Sequence, residues 1–401
     1  MSGLSSTEAA LLARIDPAPM LAQVLAWSAI NTGTRHLDGL ARQAAVLADA
    51  FAALPGEIAL HEADPVEAIA PDGHAVALAH GRHLVLRVRP EANRRFLLTG
   101  HMDTVFAADH PFQAARWLDA DTLNGPGVAD MKGGIAVILH ALLAFEASPA
   151  AAGAGYDVLI NADEETGSLS SAPLIARAAA GKQAALTFEP SARPDGTLAG
   201  ERAGSGNYAV VIHGRSAHAG RNPEDGRNAI VAAAWLTLEL AALGGDDVSV
   251  NPAKIDGGAV NNVVPDLAVL RFNIRPRGEA GTARFTRGFA AALAAMQARH
   301  GVHAHVSGGI SRPPKPMTEA AGALFHLVRD CGAALGQTIG WQATGGVCDG
   351  NNIAACGVPV VDTMGVRGGA IHSVDEYLIV PSLAERARLS ALVLHRLAGG
   401  E

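Results

Sequence analysis

Two histidines and a series of carboxylates stand at the ends of apolar runs. They are His101 and Asp103 in LLTGHMDTV, Asp130 in GPGVADMKGG, Glu164 and Glu165 in NADEETG, Glu189 in LTFEP, and His372 in AIHSVDEY. Nitrogen and oxygen ligands without thiolate suit zinc, with cobalt or manganese as alternatives. A carboxylate has two oxygens, so one aspartate can bridge two ions. Two imidazoles, three ligand carboxylates and one spare glutamate are the parts of a two-metal hydrolase. The spare carboxylate would accept a proton from water activated by the ions.

Each signal alone has a plainer explanation. A His-x-Asp tripeptide is expected about once by chance in a chain with 16 histidines. In an extended segment, however, its two side chains point to the same side. Asp130 could be a helix N-cap, a position that favours Asp. Its flanking GPG and Gly133-Gly134 are more glycine than a cap needs, which predicts a close backbone approach. Glu164 and Glu165 have no cation beside them in the sequence, so burying both is costly unless a metal is near. Glu189 could be solvated at the end of its strand, and a lone His372 could be structural. The combination in one order is what carries the two-metal expectation.

These residues need a scaffold of strands whose ends converge. Phe96–Gly100, Tyr156–Asn161, Ala184–Phe188 and Val358–Met364 read as short buried strands. Pro19–Asn31, Leu37–Leu54 and Met131–Glu146 read as helices, with apolar residues at helical spacing. Strands alternating with helices predict an α/β layer fold, in which sites gather beyond the strand carboxyl ends. The middle of the chain reads differently. Gly204–His213, Val248–Ile255, Asp266–Arg275 and Val302–Ser307 are strands; Asp225–Leu243 and Ala280–His300 are helices. The order βαββαβ is ferredoxin-like. In Asp266–Arg275, Ala268, Leu270, Phe272 and Ile274 share one face; Val269, Arg271, Asn273 and Arg275 share the other. The expected division is a catalytic domain of residues 1–199 and 312–401, interrupted by a second domain at 200–311. The proline-rich Ser311–Glu319 is its expected exit linker.

Composition sets outer bounds. The 401 residues are 49% hydrophobic and 17% charged, enough for a large core and two domains. A net charge of −8 leaves no basic footprint for nucleic acid or anionic membrane. Three cysteines argue against a disulfide framework and fit a reducing compartment. No secretory leader pattern opens the chain, and no stretch of 18 apolar, uncharged residues occurs. The expectation is a cytoplasmic protein without a membrane span.

With these motifs in view, the chain resembles the zinc exopeptidase and deacylase family of glutamate carboxypeptidase, acetylornithine deacetylase and succinyl-diaminopimelate desuccinylase. GHMDTV, GPGVADMKGG, DEETGS, FEP and IHSVDEY carry the resemblance, which spans roughly Leu97 to Val380. It implies a mixed-sheet α/β catalytic domain with an inserted ferredoxin-like lid and dimerisation domain, two zinc ions, and a homodimer formed through the lid. By resemblance Asp130 bridges the metals, His101 and Glu189 complete one site, and Glu165 and His372 complete the other. Asp103 orients His101, and Glu164 is the general base. His218, in GRSAHAG, polarises the scissile carbonyl, often across the dimer interface. Asn262, in GGAVNNVVP, and Arg275, in FNIRP, hold the substrate's free carboxylate; a guanidinium suits that two-pronged grip. Glu at position 189 goes with carboxypeptidases and N-acyl deacylases. The implied substrate is a small peptide or N-acyl amino acid with a free carboxylate, a glutamate carboxypeptidase-like activity. A deacylase of the acetylornithine type and a dipeptidase are the alternatives. GGVCDGNN resembles a substrate loop of the family. Cys348 there occupies a place more usual for Ser or Thr, and reads as a small buried residue rather than a ligand.

Overall fold

The structure is a computed structural model and describes residues 3–399. Its central sheet has six strands, in the order Glu57–His61, His83–Val88, Ala154–Asn161, Arg94–His101, Ala184–Thr187, Val360–Val361. The last four run parallel, and the first two join antiparallel, so the sheet is mixed. Ala154–Asn161 and Ala184–Thr187 are buried along their whole length. This is the continuous apolar pattern of a parallel strand covered on both faces. The strand expected over Val358–Met364 pairs only at Val360–Val361.

The helix Gly133–Glu146 is enclosed by the core, with only His140, Leu143 and Glu146 partly exposed. By apolarity Val128–Glu146 is long enough to cross a bilayer, but 89% of it is buried inside the protein. Ser6–Ser28 passes the same measure and is two helices, Ser6–Leu12 and Pro17–Ser28, the second capped by Asp16. Gly134 explains the glycine pair that opens the helix. A Cβ there would collide with the Phe188 carbonyl oxygen. The close approach is therefore helix against strand end, one residue from Glu189.

The middle segment is ferredoxin-like, as the sequence predicts. Its four strands lie in the order Val248–Gly257, Leu267–Pro276, Ser205–His213, His303–Arg312, all antiparallel. The helices Ala229–Ala242 and Glu279–His300 pack on one face. Ala268, Leu270, Phe272 and Ile274 join them in a hydrophobic cluster formed from residues 210–302. Tyr208 stacks on Phe272, with ring centroids 4.8 Å apart. The other face departs from simple alternation, because Val269 is also buried. A hairpin of Val66–Ile69 and Ala75–Leu78 lies against it: Arg271 donates to the Ile69 carbonyl at 2.7 Å, and Gly73 abuts Val211 and Leu267.

Two small sheets finish the scaffold. Gly368–Gly369, Tyr377–Ile379, Thr122–Asn124 and Arg116–Trp117 form one. It brings the loop bearing His372 against the turn bearing Asp130. Leu198–Arg202 and Trp341–Thr344 pair in parallel as the other.

Candidate active site

Three of the parallel strands end at functional side chains. His101 is the last residue of its strand; Glu164 and Glu165 follow Asn161 in a short 3-10 turn; Glu189 follows Thr187 by two residues. This is the carboxyl edge where an α/β sheet gathers its site.

Asp130 stands at the centre. His101 Nε2 is 3.1 Å from its Oδ1 and 3.7 Å from Glu189 Oε2. His372 Nε2 is 3.3 Å from its Oδ2 and 3.1 Å from Glu165 Oε2. Each oxygen of Asp130 thus faces one imidazole nitrogen, and each imidazole faces one further carboxylate. Two donors about 2.0–2.1 Å from one tetrahedral zinc stand about 3.3 Å apart. The observed spacings match that edge, so the donor set fits two ions sharing Asp130. The donors of His101, Asp130 and Glu165 lie within 4.8 Å of one another, as do those of His101, Glu164 and Glu189.

The charge balance points the same way. Burial pushes Glu165 up to about 8, and Asp130 adds to the shift. Burial raises Glu189. Hydrogen bonds donated to Asp130 and Glu165 lift His372 to about 11. His101 is raised as well: burial opposes its charge, but Glu189, Asp103 and Asp130 outweigh that. Carboxylates crowded in a dry site call for cations.

Asp130 is not a helix cap. It lies in the wide turn Val128–Lys132, before the helix, and its own backbone is held from elsewhere. Glu376 Oε1 accepts the amides of Ala129 and Asp130 at 2.9 and 3.0 Å, and Oε2 accepts that of Gly127 at 3.1 Å. Asp103 braces a different turn. Its carboxylate accepts the amides of Glu164 and Glu165 at 3.1 and 3.2 Å and the Thr34 hydroxyl at 2.8 Å. His101 Nδ1 faces the Asp103 backbone oxygen at 3.0 Å and the Asp103 carboxylate at 3.4 Å.

Glu164 has a cation that its sequence neighbourhood lacks. Arg312 Nη2 lies 2.7 Å from Glu164 Oε1 and donates to the Glu164 carbonyl at 3.0 Å. Burial still raises Glu164 to about 7 against that attraction. Arg312 and Lys315, in the stretch read as a linker, are buried. Arg312, Glu376 and Arg202 escaped the sequence reading. For Glu376 a signal was present, an acidic residue four places after His372 in the same motif.

A cavity of about 660 Å³ opens over this cluster. Asp130, Glu164, Glu165, Glu189 and His372 line it, together with Arg202, Arg275 and Arg312. Arg275 is half-buried, and its Nε donates to Asn273 Oδ1 at 3.0 Å. Arg312 is paired with Glu164, and Arg202 with Asp362; no carboxylate among the described residues pairs with Arg275. His218 and Asn262 do not line the cavity. Both are exposed, on adjoining loops of the lid, where the Ala219 amide donates to the Asn262 carbonyl at 2.9 Å. Cys348 is buried beside the cavity and caps the helix Asp349–Ala355 through its thiol.

Residues 97–396 match the peptidase family M20/M25/M40. The chain belongs to that family. It is a hydrolase acting on amide bonds. Carboxypeptidase G2 of Pseudomonas sp. (strain RS-16) is 30% identical over 348 residues, covering 82% of this chain and 80% of that protein. A succinyl-diaminopimelate desuccinylase of Xanthomonas campestris pv. campestris (strain 8004) is 29% identical over 323 residues, covering 75% of this chain and 83% of that protein. Among solved structures, the Bacillus subtilis YXEP protein, a dinuclear metal binding peptidase from the M20 family, superposes with a TM-score of 0.66 at 14% identity. The match covers 95% of this chain and 98% of that one, and bears on the fold. The M20 architecture of a catalytic and a dimerisation domain agrees with the inserted ferredoxin-like unit seen here.

Proposed function

We propose that this M20 peptidase is a two-zinc enzyme that cleaves the amide bond of a small peptide or N-acyl amino acid bearing a free carboxylate. The observation that carries the proposal is the split environment of Asp130. Its Oδ1 lies 3.1 Å from His101 Nε2, which is itself 3.7 Å from Glu189, and its Oδ2 lies 3.3 Å from His372 Nε2, which is itself 3.1 Å from Glu165. Zinc ions held by these five residues would supply Lewis acidity toward the water and the amide carbonyl.

The chain's own residues have separate tasks. Glu164, at the cluster and buried from bulk water, takes the proton of the attacking water and passes it to the leaving amine. Arg312 holds Glu164 in place. Asp103 fixes the turn that carries Glu164 and Glu165, and lies beside the far nitrogen of His101. Arg275, the cavity's arginine without a carboxylate partner, receives the substrate's carboxylate. His218 and Asn262 belong to the lid of a second copy, which places them over this cavity in a homodimer. Their exposure together, away from the cavity of their own chain, supports that placement. His218 then stabilises the developing oxyanion. The three cysteines are unpaired, which supports a reducing, cytoplasmic setting.

The likeness to carboxypeptidase G2 favours release of a C-terminal residue, and the likeness to a desuccinylase keeps deacylation as the second reading. A panel of N-acyl glutamates, aroyl-glutamates, acetylornithine and dipeptides separates them, assayed with zinc-loaded protein and a chelator-treated control. Chelator-sensitive release of a carboxylate-bearing amino acid from peptidyl or aroyl substrates supports the first. Cleavage of acetylornithine or dipeptides alone replaces the substrate class. Within the panel, Arg275→Ala raises KM strongly at unchanged metal content; an unchanged KM removes Arg275 from carboxylate binding.

A further inference from the structure

Outside the cleft, one corner of the inserted domain gathers imidazoles. The strands Ser205–His213 and His303–Arg312 are antiparallel neighbours, and their register sets His213 opposite His303 and Val211 opposite His305. Val210, Ile212, Ala304 and Val306 on these strands belong to the hydrophobic cluster under the helices. Strand alternation therefore turns His213, His303 and His305 to the other face of the sheet. All three are exposed. Among the described residues, no hydrogen bond or ion pair engages their rings.

The register brings these rings within reach of one point. Side chains directly opposite in an antiparallel pair have Cβ atoms about 4.5–5.5 Å apart, and diagonal neighbours about 7–8 Å, a span that aromatic side chains bridge. His213 is opposite His303 and diagonal to His305. His303 and His305 are two residues apart on one strand, a rise of about 6.5–7 Å. Three imidazoles thus stand at the corners of a small triangle on one rigid sheet. Among the described residues, only donors of the catalytic cluster already lie within 4.8 Å of one another. The three histidines close on an ion by turning about χ1 and χ2, between rotamers that their exposure leaves open. The corner also has a wall. The hairpin tip at Gly73 packs on Val211 and Leu267, the cross-strand partners of His305 and His213. Asp72 and His74 flank Gly73 and are exposed.

We infer that His213, His303 and His305 form a separate metal site on the inserted domain, for a divalent ion of the zinc, nickel or copper class. Imidazole suits those ions. Three histidines with an open fourth position are a donor set that zinc uses, and water fills the fourth place. The trio offers no oxygen, so calcium and magnesium fit it poorly. None of the three residues lines the catalytic cavity, so the ion has no part in the amide-hydrolase reaction.

The test titrates zinc into the wild type and into the triple variant His213→Ala, His303→Ala, His305→Ala. Native mass spectrometry counts ions per chain while kcat is followed. The wild type is expected to take one ion more than the triple variant, with a Kd of about 10 μM or tighter, weaker than a full four-ligand structural site. That ion binds after activity has reached its plateau, and the triple variant keeps the wild-type kcat. Each single variant weakens the extra ion by at least about tenfold, since even a ligand's supporting partner is worth about 10–100-fold in metal affinity. Equal ion counts in the wild type and the triple variant overturn the inference, whatever the catalytic cluster holds, so the two-zinc reading can fail without deciding this one. An extra ion no tighter than about 1 mM is adventitious and overturns it too. So does an extra ion that His305→Ala leaves at wild-type affinity, because the third imidazole is then not a ligand.

Discussion

At the scale of single residues, the site depends on which carboxylates touch metal and which stays free to move a proton. Glu164 and Glu165 are neighbours in sequence but face different partners: Arg312 for Glu164, His372 for Glu165. Glu164→Ala is expected to lower kcat by several orders of magnitude while two zinc ions remain bound, since general-base catalysis alone contributes about 10²–10⁴. Loss of a metal in that variant, read by elemental analysis, would show Glu164 to be a ligand. The acidic and histidine residues of the cluster were legible because each ends an apolar run or sits in a glycine-rich turn. Arg312, Arg202 and Glu376 were not. Their partners Glu164, Asp362 and Asp130 lie 148, 160 and 246 positions away, and only the folded chain pairs them. Arg312 read as part of a proline-rich connector because nothing local marks its burial.

At the scale of elements, the site is set by how closely helix and strand ends approach. Gly134 lets the helix Gly133–Glu146 rest on the Phe188 carbonyl, and Glu189 follows directly. Gly134→Ala forces that contact apart, with an expected loss of about 1–3 kcal/mol of stability for an overpacked core. A lowered midpoint in chemical denaturation, with weaker zinc binding, is the expected readout; an unchanged midpoint would show that the helix can shift freely. The strands Arg94–His101, Ala154–Asn161 and Ala184–Thr187 were legible as buried apolar runs. The last site strand was overestimated, because an apolar stretch such as Val358–Met364 continues beyond its two paired residues into turns that pack on Phe188 and Glu189. In the lid, alternation along Leu267–Pro276 gave the core face correctly. It missed the burial of Val269, since the covering hairpin comes from residues 66–78, far away in sequence.

At the scale of the whole molecule, the chain presents a cavity lined by its acidic and histidine residues and its arginines, while His218 and Asn262 stand exposed on the inserted domain. A homodimer that exchanges these residues makes a specific prediction. His218→Ala and Glu164→Ala proteins, each inactive alone, regain activity when mixed under subunit exchange, because one site of the mixed dimer has both groups; no recovery in a mixture shown to exchange subunits would place His218 outside the partner's site. The inserted ferredoxin-like order was legible from element sequence alone, since four strands and two helices in that order have few ways to pack. The proposed chain-to-chain arrangement rests on family likeness and on the exposure of His218 and Asn262. The measurement that tests the central claim most directly is native mass spectrometry of zinc-titrated protein, with hydrolysis followed in parallel. Two zinc ions per chain at full activity are expected in the wild type, with Asp130→Ala losing both and His372→Ala retaining one. Full activity with one ion per chain, or activity that survives chelation, would contradict a site in which Asp130 joins two metals.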